Sequence, residues 1–223
     1  MRLNLGCGGK ILPGWVNVDK FDTCGPDQVV DLEQFPWPWE DDTVTEVLMS
    51  HVLEHLGAQT DTYLGIIKEI HRVCSDGAAI TIVVPHPRHD NYLGDPTHVR
   101  PIVPDNLTLF SQKFNRECLA KGAANTPLGL YLGVDFTVES ISYDLAAHWR
   151  ELHDANKISS ADLKNAMQSF NNVIQQITMT MRAIKPAGRT SQPVTDAAQK
   201  SEVPLSPDQP AGSNEKLVPL RTI

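Results

Sequence analysis

The segment Leu3-Asn4-Leu5-Gly6-Cys7-Gly8-Gly9 restricts the possible folds more than any other in the chain. A short apolar run that enters a group of glycines reads as a buried strand ending in a tight turn, where backbone without a Cβ can approach a ligand closely. About a dozen residues further on, Val16-Asn17-Val18-Asp19 ends a second apolar run in a carboxylate, and a carboxylate at such a strand end can accept hydrogen bonds from both hydroxyls of a ribose. The pattern G-x-G-x-x-G with its following helix is missing, so no helix N-terminus is at hand for a pyrophosphate. A nucleoside without phosphates fits better.

The rest of the pattern agrees with a parallel sheet. Apolar runs ended by turn residues predict strands over 2–5, 15–18, 28–32, 45–50 and 78–84, as expected of strands buried on both faces. Leu64, Ile67, Ile70 and Val73 recur at a helical period and predict a helix over 61–74, stopped by Ser75-Asp76-Gly77. Two later strands, over 136–144 and 177–184, flank a helical stretch over 148–171. The expected fold is α/β: a Rossmann-like, doubly wound sheet, mostly parallel with an antiparallel edge strand. Only residues 9–14 separate the first two strands, too few for the usual crossover helix, so the first crossover helix is abbreviated. The domain is expected over 1–185. From Pro186 the composition turns to Pro, Ser, Gln and Ala with almost no clustered apolar residues, which predicts a disordered tail over 186–223.

With 19 basic against 27 acidic residues the formal net charge is −8, which carries no electrostatic footprint of nucleic acid as a partner. No apolar run is long enough for a bilayer span, and the first is too short for a secretory signal. Cys7, Cys24, Cys74 and Cys118 are widely spaced with no C-x-x-C, which reads as reduced thiols. The expected location is cytoplasmic, with no membrane partner.

Asp31-Leu32 closes the third strand, where Asp31 can accept from an adenine amino group and Leu32 flank the ring; taken alone, Asp31 reads more readily as a turn cap. L-N-L-G-C-G, V-N-V-D, D-L-E with F-P-W-P-W-E-D-D, and S-H-V-L-E-H together resemble the small type 11 class of class I S-adenosylmethionine (SAM) methyltransferases, over roughly residues 1–100. The resemblance implies S-adenosyl-L-methionine as cofactor, with Gly6, Cys7 and Gly8 at its methionine part, Asp19 at the ribose, Asp31 and Leu32 at the adenine, and Ser50 and His51 beside the sulfonium. It implies methyl transfer to a small-molecule or glycan-like acceptor. Asn4 departs from the pattern, since many members carry an acidic residue there.

In-line methyl transfer requires mainly alignment and exclusion of water, and a base only if the acceptor is a hydroxyl. The loop 86–100, whose three His and two Asp could bind a divalent cation, follows the fifth strand at the crevice where ligands of open α/β sheets bind. Within it His98 is the first candidate base, with Asp95 as its partner; His51 is the second, with Glu54 as its partner. His86 and His89 read as an extended surface strip, Cys7 as packing, and Trp37 and Trp39 as cover over the sheet edge. Two other function classes stay open: a catalytically silent SAM-binding module, and a zinc hydrolase. The second follows from His51-Val52-Leu53-Glu54-His55, which matches H-x-x-E-H and needs both His on one helical face. No metal ligand is assigned from the sequence.

Overall fold

The computed structural model describes residues 1–186. Its seven strands form one sheet in the order β3-β2-β1-β4-β5-β7-β6. Strands β1 (Arg2–Leu5), β2 (Val16–Asp19), β3 (Gln28–Val29), β4 (Val44–Ser50) and β5 (Cys74–Pro85) pair in parallel. Strand β7 (Ile174–Ala183) is antiparallel to both β5 and β6 (Phe136–Leu145). The sheet is therefore mostly parallel with its antiparallel pairing at one edge, as the pattern predicts; the reversed strand is β7, lying inside the edge strand β6.

Helix α1 (Thr60–Val73) connects β4 to β5. Its Ile66, Ile67, Ile70 and Val73 share one apolar core with Leu3, Leu5, Val47, Met49, Ile80 and Ile82, the helical period of one element meeting the two-residue period of the strands. Burial of each such side chain contributes about 1.5–3 kcal/mol. The helix does not wait for Ser75-Asp76-Gly77 to end it. Cys74 already has extended dihedrals and pairs with Val44, while its N–H still donates to Ile70 O; pairing resumes only at Glu46↔Ala79, so residues 75–78 form an irregularity inside β5.

Strand β3 is shorter than expected, because pairing with β2 stops at Val29 and residues 31–34 turn through Gln34 N–H to Asp31 O. The helical stretch after β6 is two helices, α6 (Ala147–Asp154) and α7 (Ser160–Ser169). Asn156 breaks it at a positive φ of 53°, and the Ser159 hydroxyl caps the second helix by accepting from Asp162 N–H. Between β5 and β6 lie the short helices α2 (Asp90–Leu93), α3 (Pro104–Thr108), α4 (Gln112–Ala120) and α5 (Leu128–Leu132).

The first crossover, residues 6–15, contains no helix. Two buried asparagines on the facing side of the sheet hold it instead. Asn4 Nδ2 donates to Lys10 O (2.8 Å) and to Asn17 Oδ1 (3.0 Å), Asn17 Oδ1 also accepts from Leu12 N–H (2.8 Å), and Asn17 Nδ2 reaches Asp27 Oδ2 (2.8 Å). In a doubly wound sheet the connections of the two halves lie on opposite faces. The face served by this loop is accordingly only half-buried along the register Leu48↔Thr81↔Thr180. Among the described residues no helix is long and apolar enough to cross a membrane. Residues 187–223, and with them nearly all of the expected tail, lie outside the described residues.

Candidate functional site

The carboxyl ends of β1, β2 and β4 meet where the strand order reverses, between β1 and β4, the place at which open α/β sheets bind ligands. Gly6 and Gly8 both adopt left-handed backbone, with φ of 64° and 50°. At Gly6 an added Cβ would stand 2.4 Å from Val52 Cγ2, so this glycine lets the turn pack under the segment after β4; at Gly8 nothing lies within 4 Å, so this one faces open space. Between them Cys7 is buried and donates its N–H to Val18 O (2.9 Å). Burial first, then the Asp19 charge, raises the Cys7 thiol pKa above its ordinary value, which suits packing and not nucleophilic attack.

Asp19 ends β2 half-buried. Its Oδ2 accepts from Gly8 N–H (2.8 Å) and its Oδ1 from Phe21 N–H (3.0 Å), so the carboxylate clasps the glycine turn and keeps lone pairs for a ligand. The sequence gives no hint of this clasp, which exists only because β1 and β2 are neighbours.

Asp31 lies beyond β3 and forms an ion pair with Lys20 Nζ at 2.8 Å, while its Oδ1 accepts from Glu33 N–H. The hydrogen bond from Lys20 lowers its pKa despite some desolvation. Leu32 is 5% exposed and its carbonyl accepts from Trp37 Nε1 (3.1 Å). Asp31 thus stands half-buried beyond β3, paired with Lys20, and Leu32 lies inside the core and not on an open surface. Trp37 and Trp39 are buried in an edge-to-face pair at 5.7 Å, in the packing role expected of them.

Ser50 ends β4 and is half-buried. His51 follows it at a positive φ of 57°, its N–H bonded to Val83 O, and its half-exposed ring lies between two partners. Nε2 is 2.9 Å from Gln176 Oε1, and Nδ1 is 3.5 Å from Glu54 Oε1. The Glu54 carboxylate raises the His51 pKa, partly offset by desolvation. Gln176 comes from the antiparallel strand β7 and in turn donates to Asp144 Oδ2 (2.7 Å), a connection with no local sequence signal. Since His51 follows a strand and Leu53–His55 form one 3₁₀ turn, His51 and His55 do not share a helical face. The H-x-x-E-H protease geometry is therefore not formed.

The loop after β5 returns over this 3₁₀ turn. Val99 N–H and Arg100 N–H both donate to Glu54 O (2.9 and 3.3 Å). His98 is almost buried, with Nδ1 2.7 Å from Tyr92 O and its ring stacked on Tyr92. Its ring centroid is 4.6 Å from that of His55. Asp95, the expected partner of His98, has Oδ2 3.9 Å from Nε2 and binds Thr97 N–H and Oγ1 through Oδ1; the Tyr92 carbonyl is what orients the imidazole. His86 Nδ1 accepts from Arg88 N–H and His89 Nδ1 from Asn91 N–H, so these two histidines serve local turns. The structure thus brings Gly6, Gly8, Asp19, Ser50 and His51 to the strand ends and joins His98 to Glu54 and His55.

No protein-family model matches the chain, and no curated protein matches it. Solved structures do. A SAM dependent methyltransferase from Archaeoglobus fulgidus is 19% identical over 81% of this chain and 84% of its own, with a TM-score of 0.53. The YcgJ protein of Bacillus subtilis is 11% identical over 83% and 92%, and a SAM-dependent methyltransferase of Methanosarcina mazei 12% identical over 82% and 91%, both with a TM-score of 0.47. At 19% identity and this TM-score the likeness is one of fold: the chain shares the fold of the Archaeoglobus fulgidus SAM dependent methyltransferase.

Proposed function

We propose that this protein is a SAM-dependent methyltransferase, binding S-adenosyl-L-methionine at the ends of β1, β2 and β4 and moving its methyl group to a small-molecule or glycan-like acceptor. The observation that carries the reading is the glycine turn clasped by Asp19 at the point where the strand order reverses. Gly6, Cys7 and Gly8 approach the methionine part, Asp19 the ribose, Asp31 and Leu32 the adenine side, and Ser50 and His51 the sulfonium. The sulfonium supplies the reactive methyl, so the chain's own residues align the acceptor and exclude water.

For a hydroxyl acceptor the proton must leave. His98 is the acceptor-side residue: its Nδ1–H donates to the Tyr92 carbonyl, which leaves Nε2 basic, free to take the proton itself or to hold a cation that acidifies the hydroxyl. Four free cysteines among the described residues support a reducing, cytoplasmic setting. Calorimetric titration of the full chain with SAM and S-adenosylhomocysteine tests the reading. Saturable binding of both at one site per chain is expected, and absence of binding by either overturns it.

A further inference from the structure

Glu54 is fully buried, and neither of its carboxylate oxygens has a hydrogen-bond partner. A buried carboxylate is costly unless a charge or a metal compensates it. His51 Nδ1 comes within 3.5 Å of Oε1, but its ring is half exposed and tied through Nε2 to Gln176.

The histidines opposite are set for one tautomer. The Tyr92 carbonyl next to His98 Nδ1 can only accept, so that nitrogen carries the proton. Thr97 Oγ1 spends its own hydrogen on Asp95 Oδ1 (2.6 Å), so it accepts from His55 Nδ1 (2.9 Å). Each ring therefore keeps its lone pair on Nε2. Fixing the far imidazole nitrogen with a carbonyl or with a hydroxyl backed by a carboxylate is how proteins orient metal-binding histidines. One donor atom from each of Glu54, His55 and His98 lies within 4.8 Å of the others. Around an ion with ligand bonds of about 2.1 Å in tetrahedral array, donors are about 3.4 Å apart, so modest side-chain rotation closes the set.

We propose that Glu54, His55 and His98 hold one divalent transition-metal ion, such as Zn²⁺, through a carboxylate oxygen and the two Nε2 atoms. Two imidazoles and one carboxylate suit a first-row transition ion better than Mg²⁺ or Ca²⁺, which favour all-oxygen sites. Three protein ligands leave a position open for an exogenous oxygen. The main-chain bonds from Val99 and Arg100 to Glu54 O staple the two ligand-bearing segments together, so the set belongs to the fold. Its role rests on the methyltransferase reading: the ion binds the acceptor's hydroxyl, whose proton passes to solvent, and the O–CH₃ bond forms as the S–CH₃ bond breaks. His98 then acts as ligand, and the ion replaces the general base.

The test is calorimetric titration of the chelator-treated full chain with Zn²⁺, with Mg²⁺ and S-adenosylhomocysteine titrated separately. One equivalent of Zn²⁺ is expected to bind at micromolar affinity or better, and Mg²⁺ more weakly. His55→Ala and His98→Ala, checked for folding by circular dichroism, should each weaken Zn²⁺ at least 100-fold, and Glu54→Gln likewise if it folds; His89→Ala should bind as the wild type does. No stoichiometric Zn²⁺ binding, or wild-type affinity in folded His55→Ala and His98→Ala, overturns the site. S-adenosylhomocysteine binding without Zn²⁺ binding sinks the metal site alone; Zn²⁺ binding without S-adenosylhomocysteine binding sinks the methyltransferase reading while the metal site stands.

Discussion

The two turn glycines and Asp19 have separable jobs, and single substitutions distinguish them. Gly6→Ala drives a Cβ into Val52 at a left-handed backbone position; strain and overpacking together should cost about 2–4 kcal/mol, read as a lower urea midpoint. At Gly8 an added Cβ meets no neighbour, so the cost of Gly8→Val is taken as mainly the left-handed strain, about 1–2 kcal/mol. The variant should stay folded but lose S-adenosylhomocysteine binding, because the side chain fills the space in front of the turn. Retained affinity in Gly8→Val would make the glycine turn mere punctuation. Asp19→Ala removes the acceptor of Gly8 N–H and the expected acceptor of the ribose hydroxyls, and should weaken S-adenosylhomocysteine by about 1.5–3 kcal/mol, since a charged acceptor is lost. Calorimetry showing unchanged affinity would take Asp19 out of the site.

At the scale of elements the first crossover, like the one from β2 to β3 that follows it, is a parallel connection made without an α-helix, where a helix is the norm. Asn4 and Asn17 hold the first crossover loop by satisfying its backbone, and their bonding calls for an amide at position 4. Asn4 Nδ2 donates to two acceptors, Lys10 O and Asn17 Oδ1; a carboxylate there would face both with lone pairs. Asn17→Ala leaves Leu12 N–H and Asn4 Nδ2 short of an acceptor and should destabilise by about 2–4 kcal/mol, one to two unsatisfied buried groups. Asn4→Asp should also lower stability. Urea unfolding of both variants checks this, and a loss below about 0.5 kcal/mol in Asn17→Ala would show that the loop stands without its clasp.

For the molecule as a whole, His71 ties helix α1 to the end of the sheet. Its Nε2–H donates to Ile184 O (3.1 Å) and its ring meets the Phe136 ring edge-on. Burial first, then the positive charge of Lys185, lowers its pKa, against smaller opposing contributions from the Ile184 carbonyl, Asp135 and Asp42. A depressed folded pKa means that the unfolded chain takes the proton more readily, so His71's contribution is present above the unfolded value of about 6.5 and is lost as pH falls below it. Thermal midpoints taken from pH 7.5 to 5 should therefore fall less steeply in His71→Gln than in the wild type. Equal slopes would show that His71 takes up its proton alike in the folded and unfolded states.

What the sequence determined by itself is the part that local chemistry dictates. The glycine turn, the carboxylate at Asp19, the apolar runs of the strands and the helical period of α1 depend on neighbours a few residues away, and each is found within a few positions of where the pattern puts it. The shortness of the first crossover was also legible, being a matter of counting residues. Only the tertiary structure decided what crosses between elements. The place of β7 inside β6, the exchange between Asn4 and Asn17, the Gln176 partner of His51, and the convergence of His98 from the loop after β5 on Glu54 and His55 after β4 all join segments far apart in the chain. Side-chain chemistry names the groups that can pair, but which of them meet is set by strand order and register, and these follow from the burial of the whole core.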